Sequence, residues 1–240
     1  MKELLIKITY TFSALLFSLF ANAQANLNFL IGENVDVREI AVRKFHSLDV
    51  SGEFAIEFTQ SLTQSVVFQG DSADLAHVSY EVKNGTLHIE MKEDESISVV
   101  GVEISVPELR KFSAAGANSF SSDFIIVQDD IALELSGATY LDLELHIKND
   151  LQMKVEGASI VNVDGMSENL MLDVAGVSKI AATSLEANNV TIAATGISLV
   201  DVCVLNELSV DIAGMSRVEY RGSPTVLSES VEGMSKLVRK

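Results

Sequence analysis

KVEGASIV (154–161), DVAGVSKI (173–180), AATGISLV (193–200) and DIAGMSRV (211–218) are one phrase written four times in succession. Looser copies flank it: SAAGANSF (113–120) and ELSGATYL (134–141) before, SVEGMSKL (230–237) after. The central glycines, Gly116, Gly137, Gly157, Gly176, Gly196, Gly214 and Gly233, stand 21, 20, 19, 20, 18 and 19 residues apart. A period near twenty predicts a stacked solenoid, in which one repeat buries its apolar face only against its neighbours.

The apolar residues keep step with the glycine. Two before it stand Leu135, Val155, Val174, Ala194, Ile212 and Val231; six before it stand Ile131, Leu151, Leu170, Val190, Leu208 and Leu227. Four after it the same parity resumes at Phe120, Leu141, Val161, Ile180, Val200, Val218 and Leu237. A spacing of two means strand, with all these side chains turned inward. A helical repeat would need apolar residues three and four apart with good helix formers between them; the windows instead carry Val, Ile, Leu and Thr at alternate positions, with a Gly in the middle. The expected fold is therefore all-β, a parallel β-helix whose seven marked rungs span roughly 34 Å at about 4.8 Å per rung.

Glycine suits a corner where φ is positive or a second backbone comes close. Two residues on, each copy carries a small polar side chain: Asn118, Thr139, Ser159, Ser178, Ser198, Ser216 and Ser235. Stacked, these would hydrogen-bond along the axis or to the corner backbone as a polar ladder. A ligand-binding row is the alternative, with little chemistry of its own when no His, Cys or carboxylate adjoins the hydroxyls.

Outside the repeats, the chain opens with Lys2 and Lys7, an apolar run from Ile8 to Phe20, and Ala21-Asn22-Ala23. This pattern predicts a signal peptide over residues 1–23 and a mature chain from Gln24, exported to the periplasm, the medium or the cell surface. The run is too short for an ordinary membrane span, and no later stretch is longer. Net charge is −17, or −18 without Lys2, Glu3 and Lys7. Such a chain repels nucleic acid and anionic lipid; Lys236, Arg239 and Lys240 form a small basic exception, read as a solvated chain end. Cys203 is the sole cysteine, so no intramolecular disulfide forms.

Residues 24–44 read as a lead-in containing a short strand near Val35 to Ile40, and residues 45–240 as one domain. In its first part, 45–108, SLDVSGEFAIEF carries an early copy centred on Gly52, with Phe54 in the polar position. HVSYEVKNGTLHIEM then holds Asn84-Gly85 between alternating runs, the signal of a type I′ hairpin. Antiparallel pairing here predicts a sheet or cap packed on the coil. From 109 to 240 the glycine-centred repeats run on, with Pro224 in a loop.

Taken in order, FHSLDVSGEFAIEF, SVVFQGD, YEVKNGTLHIEM, VEISVPELRKFSAAGAN and the SGAT, EGAS and AGVS repeats resemble the head domain of auto-transporter adhesins, the GIN domain, over about Val42 to Lys240. The resemblance implies a right-handed β-helix in an exported bacterial protein and brings no catalytic residues with it.

Any chemistry would have to sit in the outward rows. Three before the glycine stand Glu134, Lys154, Asp173, Ala193, Asp211 and Ser230; five after it stand Ser121, Asp142, Asn162, Ala181, Asp201 and Glu219. Mixed rows of this kind read as a solvated face, with Asp142, Asn162 and Asp201 as the part most suited to a cation or glycan. His46, His77, His88 and His146 have no metal-ligand spacing, and no phosphate loop, dinucleotide fingerprint or nucleophile elbow occurs. Trp is absent, so a deep sugar-stacking groove is not expected. The reading is an exported non-enzymatic solenoid that acts as an adhesin or binding module of the envelope, without cofactor or metal. Its partner would be an envelope protein, a host-surface protein or a glycan. The alternatives are a polysaccharide-acting enzyme on the same coil and a purely structural envelope protein.

Overall fold

The computed structural model describes residues 35–92 and 99–240. Residues 1–23, read as a signal peptide, lie outside the described residues, as does most of the lead-in. The described chain is nearly all strand and forms a β-solenoid of about six turns. Its repeat region comprises β7 (Lys111–Ser121), β8 (Ile126–Gln128), β9 (Ile131–Gly157), β10 (Ile160–Gly176), β11 (Lys179–Gly196), β12 (Leu199–Ile212), β13 (Arg217–Gly222), β14 (Thr225–Val231) and β15 (Lys236–Arg239). Every pairing among these strands is parallel, and like positions stand in register, as in Leu170↔Val190, Leu172↔Ile192 and Gly176↔Gly196.

Local sequence explains the two straight arms of each layer. The alternate Val, Ile and Leu positions before and after the glycine are buried, from Leu133 and Leu135 in β9 to Val200 and Val202 in β12. Each fully buried aliphatic or aromatic side chain contributes on the order of 1.5–3 kcal/mol. At the N-terminal end the interior is filled by Phe54, Phe58, Phe68, Phe112 and Phe120, the rings of Phe112 and Phe120 lying 4.1 Å apart.

Between the arms the backbone turns at the glycine. Gly176 has φ +107°, and a methyl group there would stand 2.5 Å from the Gly157 carbonyl oxygen in the layer below. That oxygen accepts the Val177 amide at 2.8 Å, so the atom a side chain would strike is one the layers need for bonding. The same close approach runs down the whole column from Gly52 to Gly233.

The first third carries the expected antiparallel strands, joined to the coil through further parallel layers. β2 (Ser47–Gln60) pairs parallel with β7 over Ser47↔Lys111 to Glu57↔Ser121, which seats Gly52 on Gly116. On its other edge β2 pairs parallel with two strands, β5 (Thr86–Met91) along one arm and β6 (Val100–Val106) along the other. Only beyond these does pairing turn antiparallel, through β4 (Val78–Lys83) on β5, β3 (Ser65–Gly70) on β6 and β1 (Asp36–Glu39) on β3. The region is thus a hydrogen-bonded continuation of the coil, because the second edge of β2 runs along both arms and a parallel strand pairs with it on each. The hairpin turn has Asn84 at φ 52° and Gly85 at φ 76°, both positive as type I′ requires. A four-residue helix, α1 (Ser72–Leu75), is capped by Asp71, whose carboxylate accepts the Ala73 amide at 2.8 Å.

The last layer corrects the parity reading. Leu227 and Val231, placed inside by their spacing, are 58% and 41% exposed. The register slips by one residue between Leu208↔Val226 and Ser209↔Ser228, which bulges Leu227 out of line, and no described strand lies beyond β14 to cover Val231.

The corner geometry yields a test. Gly176→Ala is expected to cost roughly 3 kcal/mol or more through strain and backbone collision, lowering the melting temperature by about 6–12 °C for a domain of this size. Gly70→Ala meets its nearest neighbour, the Leu75 side chain, at 3.5 Å and should change it little. Equal losses in the two variants, followed by circular dichroism, would refute a special role for the corner.

Candidate functional site

Inside the corner, the small polar residues form a chain of bonds from layer to layer. Ser159, Ser178, Ser216 and Ser235 Oγ accept the backbone amides of Thr139, Ser159, Ser198 and Ser216 at 3.2–3.3 Å. Asn118 Oδ1 accepts the Phe54 amide at 3.2 Å, and its Nδ2 donates to Ala115 O at 2.9 Å. All seven side chains are buried. The chain is interrupted at two places, since Thr139 Oγ1 and Ser198 Oγ are buried without a partner. Enclosed in this way, the row offers nothing to a ligand at the surface.

Outside, the arm leading into the corner makes the broader face. Glu134, Lys154, Asp173 and Ala193 stack in one row, flanked by Ala132, Gln152, Met171 and Thr191, around a shallow depression of about 380 Å³. Lys111 Nζ lies 2.7 Å from Glu134 and holds its carboxyl below the usual carboxylate range. Lys154 is paired with Glu156 at 2.8 Å, which raises the ammonium further. A general acid needs its pKa raised toward neutrality, and here the carboxyl is pushed the other way.

The arm leaving the corner carries the second face. Tyr140 Oη donates to Asp142 at 3.0 Å and accepts from Asn162 Nδ2 at 3.4 Å, so Asp142 and Asn162 are bridged by the phenol. Asp201 lies farther along the same row, with Ala181 between. At its near end Glu57, on an exposed strand position, is raised by partial burial and by the nearby Asp123 and Glu103 carboxylates. At its far end Lys240 pairs with both Glu219 and Asp201. Lys240 and Arg217, whose Nε lies 2.5 Å away, depress Glu219 to about 2. The basic tail is accordingly not a solvated chain end: Lys236 and Arg239 lie in β15, and Lys240 is anchored by carboxylates.

A further polar column was missed by the sequence reading. Seven residues before the glycine, Asp130, Asp150, Asn169 and Asn189 stand in adjacent layers. Asn169 Nδ2 donates to Asp150 at 2.8 Å, and Asn189 Nδ2 to Asn169 Oδ1 at 3.0 Å. Beside it, Asn188 donates to Glu168 at 2.6 Å. The recurrence of Asp or Asn at that offset was the available signal. These bonds are spent within the column. Among the described residues, no group of three or more His, Cys, Asp or Glu side chains is placed to hold a metal ion. His88 pairs with Asp49 at 3.0 Å, and Cys203 is half-buried with its thiol pushed up by burial and by Glu186.

What fold and faces define is a β-solenoid whose outward side chains lie in long paired rows. Residues 44–224 match the model of the family described as "Putative auto-transporter adhesin, head GIN domain", and the chain belongs to that family. Solved structures share the fold. A "putative adhesin" from Bacteroides fragilis is 22% identical with a TM-score of 0.78, covering 87% of this chain and 98% of its own. A "putative lipid binding protein" from Parabacteroides distasonis is 16% identical with a TM-score of 0.67 and the same coverage. A "putative adhesin" from Parabacteroides merdae is 14% identical with a TM-score of 0.64, covering 87% of this chain and 97% of its own. No curated protein matches the chain.

Two measurements probe these networks. Ser178→Ala leaves the buried Ser159 amide without its acceptor and should cost about 1–3 kcal/mol, whereas Ser198→Ala removes a hydroxyl that bonds nothing and should be near neutral in the same melt. Because the folded-state pKa of Glu219 is depressed, its contribution is present above about pH 4.5. It is lost as pH falls toward about 2. Glu219→Gln should therefore be less stable than the parent at pH 6 and converge with it by about pH 2, and a gap that persists at acid pH would contradict the pairing.

Proposed function

We propose that the chain is an exported, non-enzymatic binding module of the cell envelope that engages an extended protein or glycan along its outer faces. The observation that carries this reading is the row Glu134, Lys154, Asp173 with Lys111 before it: ammoniums and carboxylates alternate from layer to layer over a shallow face. A partner meeting such a face makes many weak polar contacts over several layers, and affinity comes from their sum. Export rests on the apolar leader before Gln24. Family membership and the likeness to bacterial solenoids described as adhesins agree with both. A polysaccharide-acting enzyme is less well supported, because the Lys111 ammonium holds Glu134 below the usual carboxylate range, and Glu57, whose carboxyl is raised, owes this to burial and to the neighbouring acids Asp123 and Glu103.

The test uses the chain without its first 23 residues. A glycan array and a pull-down from envelope and host-surface fractions are expected to return a partner whose binding weakens on Lys154→Glu. Silence in both screens would favour a structural role. Release of reducing ends from a panel of polysaccharides would establish the enzyme instead.

A further inference from the structure

The two ends of the solenoid are built differently. At the N-terminal end the phenylalanine-filled layers are overlaid by antiparallel strands and by Leu75 of α1, which is buried. At the C-terminal end β14 pairs only with β12 and β15 only with β13, so the outer edges of both strands meet no other strand among the described residues. Apolar side chains crowd this open layer: Val226, Leu227, Val231 and Met234 are 40%, 58%, 41% and 63% exposed. Terminal repeats of a solenoid ordinarily present a polar outer face, and natural edge strands carry charges that block pairing with a second chain.

Charges are present here, but sorted by sign. β14 and the residue after it carry Glu229 and Glu232 and no base, whereas β15 carries Lys236 and Arg239 and no acid. Pairing β14 with another β14, or β15 with another β15, sets like charges side by side and is disfavoured. Pairing β14 with β15 of a second molecule lays the acidic segment along the basic one. Symmetry makes both such contacts at once. A twofold axis in the end plane, passing through the Gly233 corner, lays β14 of each copy antiparallel along β15 of the other. β14 runs into that corner and β15 runs out of it, and the rotation exchanges the two arms.

We propose that the C-terminal layer is a self-docking surface on which two copies of this chain join end to end, through crossed β14–β15 edge pairing. The unpaired backbone edges call for a strand, the four exposed apolar side chains gain cover, and the segregated charges select the crossed arrangement over the two like-with-like ones. The overall charge of −17 does not oppose it strongly. At physiological salt, charges are screened over about 8 Å, or roughly two layers at about 4.8 Å each, and most of the acidic residues lie farther down the axis. The surface does not depend on which ligand the outer faces take.

The experiment measures molecular mass by sedimentation equilibrium across a concentration series into the high micromolar range, with the leader removed. The parent chain is expected to form a dimer that weakens in high salt. The variant Lys236→Glu with Arg239→Glu, and the variant Glu229→Lys with Glu232→Lys, are each expected to dissociate at least tenfold more readily, since each brings like charges together in both contacts. All four positions are exposed, and an unchanged strand signature in circular dichroism confirms folding. Mixed in equal amounts, the two variants should recover the dimer, because the mixed pair again opposes acid to base in both contacts. A parent chain that stays monomeric, a dimer indifferent to both variants, or a mixture that fails to recover would each overturn the proposal.

Discussion

Backbone lies against backbone at the glycine corner, and the rest of the molecule follows from that contact. The Gly137, Gly157, Gly176, Gly196 and Gly214 carbonyl oxygens each accept an amide from the next layer at 2.8–2.9 Å, and each lies only 2.4–2.7 Å from where the next glycine's Cβ would be. A side chain would collide with the bond that holds the layers together. Once the corner repeats, both arms are held in phase, and alternate side chains on each arm enter one interior from the first turn to the last.

The interior is then filled by what each level requires. Phenylalanines occupy the first layers, where Phe54 takes the position that serines hold farther on, and aliphatic residues fill the later ones. Within the corner, hydroxyls short enough to sit beside a glycine return bonds to amides of the preceding layer. This gives buried polar groups partners without water, although Thr139 and Ser198 show that not every level completes the exchange.

On the outside, stacking multiplies rows instead of gathering side chains around a point. Residues of neighbouring layers neutralise one another: Lys111 meets Glu134 and Lys240 meets Glu219. Such pairing lowers carboxyl pKa values where it acts, and catalysis by acid and base asks for the reverse. A surface of this kind suits recognition of something long better than chemistry on something small. At the C-terminal end, β14 and β15 each keep one edge that meets no other strand among the described residues.

Periodic information was legible in the chain alone. The twenty-residue spacing, the parity of the apolar positions around Gly157 or Gly196, and the Asn84-Gly85 turn are local or repeating features, and each is written within a few residues of where it acts. What the tertiary structure decided is non-local or depends on one-residue offsets. The pairing of β2 with β7 spans an excursion of some fifty residues that no repeat marks, and only the folded chain shows β5 and β6 completing the layer above. The slip at Leu227 turns a side chain out of the core because strand faces alternate residue by residue, so a single extra residue reverses inside and outside. The aspartate and asparagine column from Asp130 to Asn189 gains its meaning in the same way, from bonds between residues that are neighbours only once the coil has closed.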